Sequence, residues 1–373
     1  MAAPPHPTSS HPTPPRRARR LALVLGLAAA LLTLAPAAQA HSAGHQRTAY
    51  SQTNLVSDLP GLATLTDPNL VNAWGMVAGP TTPMWVANNG TDTSTLYNGA
   101  VNGSPPAVVP LVVNVPGAPT GIVFNTEPGF TVSAGGVSAP ARFIFATESG
   151  TILGWAPNVP LNGNAQVTAT VPDAIYKGLA TATTDSGTFL YAANFHDNRI
   201  DVFNSSFSLV HLSGSFHDRH LPRGFAPFNI QALDGKLYVS YAKQDDERSD
   251  EIAGRRLGFV DVFDTSGHLL RRLVTRGQLD APWGLAIAPD GFGQFSGDLL
   301  VGNFGDGRIN AYDLRGHFRG TLRDERRRPI EIDGLWALRF GNGVAGSPTT
   351  LLFSAGIQDE EHGLFGSIEA ITG

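Results

Sequence analysis

Cysteine is absent from the 373 residues. Disulfides, thiolate metal sites and cysteine nucleophiles are therefore excluded. Charge is scarce too: Asp, Glu, Lys and Arg make up 15% of the chain, which does not suit long solvated helices. No Gly-x-Ser-x-Gly motif occurs, and no phosphate-cradling glycine loop precedes a helix. Past the N-terminal region no apolar run reaches the length of a membrane span. What is abundant is turn chemistry, with 42 Gly and 27 Pro. Val, Ile, Leu and Phe are plentiful after the first 50 residues, so the chain has the material for a core and is not disordered. Many short strands joined by tight turns are expected.

Residues 1–40 form a separate object. Arg16, Arg17, Arg19 and Arg20 precede an apolar run from Leu21 to Ala35, and Ala38-Gln39-Ala40 supplies a small-x-small cleavage site. This layout predicts a secretory signal peptide, followed by a flexible leader over residues 41–49 and one domain over residues 50–373. The segment holds four Arg and no acid, so its removal takes the net charge from −5 to −9. So acidic a chain is not expected to take nucleic acid or anionic membrane surfaces as general partners. A secreted monomer without a membrane span is expected.

A three-part unit recurs six times. Its first part is a strand rich in small residues, as in Ala73-Trp74-Gly75-Met76-Val77 and Trp283-Gly284-Leu285-Ala286-Ile287. The second is apolar and runs into a polar turn, as in Leu190-Tyr191-Ala192-Ala193-Asn194. The third alternates and ends in an aromatic, as in Phe259-Val260-Asp261-Val262-Phe263. The closing residues Tyr97, Trp155, Phe203, Phe263, Tyr312 and Ile371 lie 48 to 60 residues apart. A looser fourth strand follows, such as Leu269–Val274 or Phe318–Leu322. Four antiparallel strands per unit of roughly 50 residues make a propeller blade. The fold predicted is all-β, a six-bladed β-propeller. Its last blade lacks an outer strand, and the segment Tyr50–Val56 is expected to pair with Ser367–Ile371 and close the ring.

Further short motifs are Asn69-Leu70-Val71-Asn72-Ala73-Trp74-Gly75, Ala193-Asn194-Phe195, Ala226-Pro227-Phe228-Asn229-Ile230, Ala281-Pro282-Trp283-Gly284-Leu285 and Gly302-Asn303-Phe304-Gly305-Asp306-Gly307. The six-unit layout resembles the NHL, TolB and gluconolactonase (SMP-30-like) propeller superfamily. With these motifs, the chain is similar, from about Tyr50 onward, to secreted bacterial propellers of unassigned activity associated with PEP-CTERM sorting. It lacks the Pro-Glu-Pro sorting tail. The resemblance implies a fold rather than an activity.

Starts of first strands and ends of second strands share one face, around the channel mouth. Asn72, Trp74, Lys177, Phe228, Asn229, Trp283 and Trp336 come from the former; Asn194, His196 and Asn303 come from the latter or the turns that follow. Aromatics with convergent amides suit a ligand site, here for a small molecule, a cell-wall component or a protein. Each has a plainer reading: the Asn residues cap turns, the Trp residues plug the blades and Glu148 is a turn residue. The superfamily implies a second function, a lactonase- or esterase-like hydrolase. Its divalent ion, Ca²⁺ for such hard oxygen ligands, would fall to Glu148, Asn88, Asn194 and Asn303, although Asn72 stands where a Glu is expected. The charged stretch Gln244–Arg256 is expected to be a solvated loop, and His217-Asp218-Arg219-His220 a loop at the channel rim.

Overall fold

The structure, a computed structural model, describes residues 48–160 and 163–371. The expected signal peptide and nearly all of the leader lie outside these residues. Six antiparallel sheets follow one another along the chain. Blade 1 runs Ala73–Val77, Met84–Asn88, Thr93–Asn98 and Ala107–Asn114; blade 2 runs Pro119–Phe124, Phe143–Thr147, Thr151–Trp155 and Gln166–Thr170. Blades 3 to 6 begin at Tyr176, Phe225, Pro282 and Leu335. The first strands touch in succession and the sixth meets the first, so the ring is closed.

Blade 6 consists of Leu335–Phe340, Leu351–Ile357 and His362–Ile371, with Ala49–Ser57 added at the edge. Tyr50 pairs with Ala370 and Thr53 with Ser367, antiparallel. The expected closure is thus present. Tyr50, Leu55 and Val56 bury their side chains in the process, and the pairing gives partners to backbone groups that an open edge would leave bare.

Second strands such as Met84–Asn88, Phe143–Thr147 and Leu299–Asn303 are buried along their whole length, because each lies between two neighbouring sheets. First strands approach one another so closely that side chains do not fit at some positions. A Cβ on Gly121 would run into the backbone of Leu179.

Two segments differ from expectation. The charged stretch after Gln244 is not simply a solvated loop: Glu251–Ile252 pairs with Lys243–Gln244 as an extra strand of blade 4. The segment around Asp218 does not lie at the channel rim. Asp218 is buried and accepts from Arg272 on the outer strand of blade 4, which pins the segment to the periphery. A hairpin, Thr131–Ala134 with Val137–Pro140, is inserted in blade 2.

Candidate functional site

Every first strand carries an irregularity in register near its start. Pairing skips Trp74–Gly75, Thr120–Gly121, Lys177, Phe228, Trp283 and Trp336–Ala337 in the six blades. A bulge adds a residue to one strand and re-aims its side chain. Repeated six times, it places Trp74, Thr120, Lys177, Phe228, Trp283 and Trp336 at equivalent positions near the axis.

The aromatic members close on one another. Trp74 and Trp336 stack with centroids 3.5 Å apart, and Trp283 meets both edge-on at 6.4 and 5.9 Å. Phe228 packs on Trp336 at 5.7 Å, and Phe304 covers it at 4.3 Å. Trp74, Phe228, Trp283 and Trp336 are each 4% exposed or less. They form a plug across the channel rather than the open aromatic rim expected. Asn229 is part of the same structure: its amide donates to Trp283 O at 2.8 Å and its Oδ1 accepts from the Ile230 N–H.

A polar network lies against this plug. Asn72, left-handed at φ 46°, accepts at Oδ1 from the indole N–H groups of Trp74 (2.9 Å) and Trp336 (3.3 Å). Its Nδ2 donates to Asn89 Oδ1 at 3.3 Å, and Asn89 Nδ2 donates to Glu148 Oε2 at 2.9 Å. Glu148 Oε1 pairs with Lys177, whose ammonium also meets Asp250 Oδ1 at 3.0 Å and sits 5.1 Å from the Trp74 ring centroid. Lys177 is 1% exposed. Burial works to lower its pKa, but Glu148, Glu251 and Asp250 outweigh that and raise it, so the ammonium stays charged.

Two more carboxyls border the lysine. Burial pushes Glu251 up to about 8, against the opposing pull of Lys177. Burial likewise pushes Glu360 up to about 7, offset by Lys177, reinforced by the Glu148 charge and moderated by the Asn72 amide beside it. Glu360 Oε1 is buried and has no hydrogen-bond partner among the described residues. Gln358, Asp359 and Glu360 are consecutive residues at positive φ (56°, 55° and 65°). Three non-glycine residues in that region hold a strained backbone in place, a kind of strain that clusters at functional sites.

Among the residues named from sequence, Asn72, Trp74, Lys177, Trp336 and Glu148 are brought into this network. Asn88, Asn194 and Asn303 are turned into their own hairpins: Asn88 donates to Thr93 and Thr95, Asn194 to Asp197 and Asp201, Asn303 to Gln278 O and Asp306. His196 pairs with Asp197 at 3.2 Å, apart from the network. The residues do not fit a divalent ion. Glu148 is committed to Lys177 and Asn89, the three amides contact neither it nor one another, and among the described residues no three His, Asp or Glu side chains gather as ligands. Sequence reasoning missed Asn89, Asp250, Glu251 and Glu360. Glu360 lies in the turn after the second strand of blade 6, at the mouth end of its blade, so its location was available. Asp250 and Glu251 carry no such signal.

The chain is 34% identical over 330 residues to the uncharacterized protein R648 of Acanthamoeba polyphaga mimivirus, covering 84% of this chain and 78% of that one. It is 33% identical to the uncharacterized protein L690 of the same virus, covering 84% of each. Virginiamycin B lyase from Staphylococcus aureus superposes with a TM-score of 0.48 at 11% identity, over 87% of this chain and all of that one. No family model matches. The propeller assignment rests on the six sheets described above. The mimivirus relatives give no support to the bacterial PEP-CTERM association expected from the motifs.

Proposed function

This chain belongs to one family with the mimivirus proteins R648 and L690, and we propose that it is an exported, monomeric ligand-binding propeller whose mouth receives a cationic group. The observation that carries this reading is Glu360. Its buried Oε1 has no partner among the described residues, and a buried acceptor without a donor is costly. A primary ammonium entering beside Glu360 and Glu251 would supply that donor and the missing positive charge. The ligand class that fits is a small molecule with a protonated amine, such as an amino sugar. Export rests on the layout of residues 1–40.

Calorimetry with glucosamine and with neutral N-acetylglucosamine tests the reading. The amine is expected to bind about tenfold or more tightly than its neutral counterpart, the range of a charge-assisted hydrogen bond, and Glu360→Gln is expected to erase the preference. Affinity should rise as pH approaches about 7, where Glu360 loses its proton, and fall again at higher pH as the amine of the ligand is deprotonated. Equal affinity for the two sugars, or no binding across a panel of small amines, would overturn it.

A further inference from the structure

Beneath the plug the six first strands enclose an axial void of about 20 Å³, to which every blade contributes. Small-molecule sites run to roughly 300–1,000 Å³, so this channel is not one. It has room for a single water-sized species, which needs about 10–15 Å³. The upper wall is formed by Trp283 and Asn229, the middle by apolar side chains such as Leu179 and Leu285, and Gln231 and Arg339 complete the lining.

Those last two residues are out of keeping with the rest. Arg339 is half-buried, and no acid faces it: among the described residues its guanidinium has neither an ion pair nor a hydrogen bond, and the Gln231 amide has no partner either. Two other cations drawn into the ring are compensated. Lys177 has Glu148 and Asp250, and Arg272 has Asp218 and Asp261. A guanidinium carries five N–H donors and no acceptor, and an amide offers two more. Burial, with nothing to oppose it, lowers the pKa of Arg339, in keeping with a charge that lacks a counter-ion.

We propose that the axial channel is a binding site for one small inorganic anion of halide size, held by the Arg339 guanidinium and the Gln231 amide. The size of the void selects against carboxylates and phosphate, and the donors select against cations. The site stands apart from the mouth and does not depend on its occupant. It gives the ring an anion-dependent strut, since an ion bound between two blades only when the ring is closed stabilises the closed form.

Thermal unfolding of the full chain in sodium chloride and in sodium gluconate, at equal ionic strength, tests this. Gluconate is too large for the void. The chloride-minus-gluconate difference in Tm is expected to be about 2–4 °C greater for the wild type than for Arg339→Met. Gln231→Leu should show a reduced difference, and it serves as the reporter if Arg339→Met does not fold. Crystals grown in bromide should give an anomalous peak on the axis beside Arg339. A wild-type difference no larger than that of the variants, or a bromide-free channel, would overturn the proposal.

Discussion

At the scale of single residues, the mouth sets one buried cation among four carboxyls. Glu251 and Glu360 have pKa values raised to about 8 and about 7, against roughly 4.3 in an unfolded chain. Between these limits the folded state holds more protons than the unfolded one, so stability falls as pH rises. The contribution is fully present below about pH 4 and is lost as pH passes through 7 and 8. Differential scanning calorimetry from pH 5 to 9 should show Tm declining, and Glu360→Gln should flatten the curve; a Tm that climbs through this range would contradict the assignment. Lys177→Met strands Glu148 and Asp250 and should cost about 3–5 kcal/mol in urea denaturation. Adding Glu148→Gln should recover part of that loss, because the two residues act on one interaction.

At the scale of elements, the aromatics that close the third strands of blades 1 to 5, Tyr97, Trp155, Phe203, Phe263 and Tyr312, are all buried. Phe203 is fully buried and lies edge-on to Tyr176 at 6.3 Å. Phe203→Ala should cost about 3–5 kcal/mol, and a loss under about 1 kcal/mol would mean the site collapses around the deletion. The first strands are limited by backbone approach instead. Gly121→Ala forces a methyl against Leu179 and should cost about 1–3 kcal/mol or more, measured by the same denaturation. Strand positions were legible because a period of two and a repeat of roughly 50 residues are written into the local order of residue types. The blade 4 connection was not. Its charges read as solvated, yet Asp250 is drawn to Lys177 of blade 3, since a buried ammonium demands a counter-charge.

At the scale of the whole molecule, one strand joins the two ends of the described chain. Tyr50, Leu55 and Val56 are buried in blade 6 or against its neighbours, each worth about 1.5–3 kcal/mol. Together they amount to a large share of the roughly 5–15 kcal/mol that holds a domain folded. A chain lacking residues 1–57 should therefore lose its cooperative thermal transition, read by circular dichroism. Retention of a sharp transition near the wild-type Tm would show that the ring does not depend on its closing strand.

Six blades, their strand order and the partner of Tyr50–Val56 follow from the sequence alone, because each strand's two faces and its turns are encoded within a few residues. That Trp74, Trp283 and Trp336 belong together also follows, since they recur at one position of the repeat. Their role was decided only in three dimensions. Six bulges turn those side chains inward, and the axis is too narrow for them to remain apart. The same holds for the carboxyls and for Arg339. A charge acquires an altered pKa, or lacks a partner, through what surrounds it after the blades converge, and those neighbours come from other blades, up to hundreds of residues away along the chain.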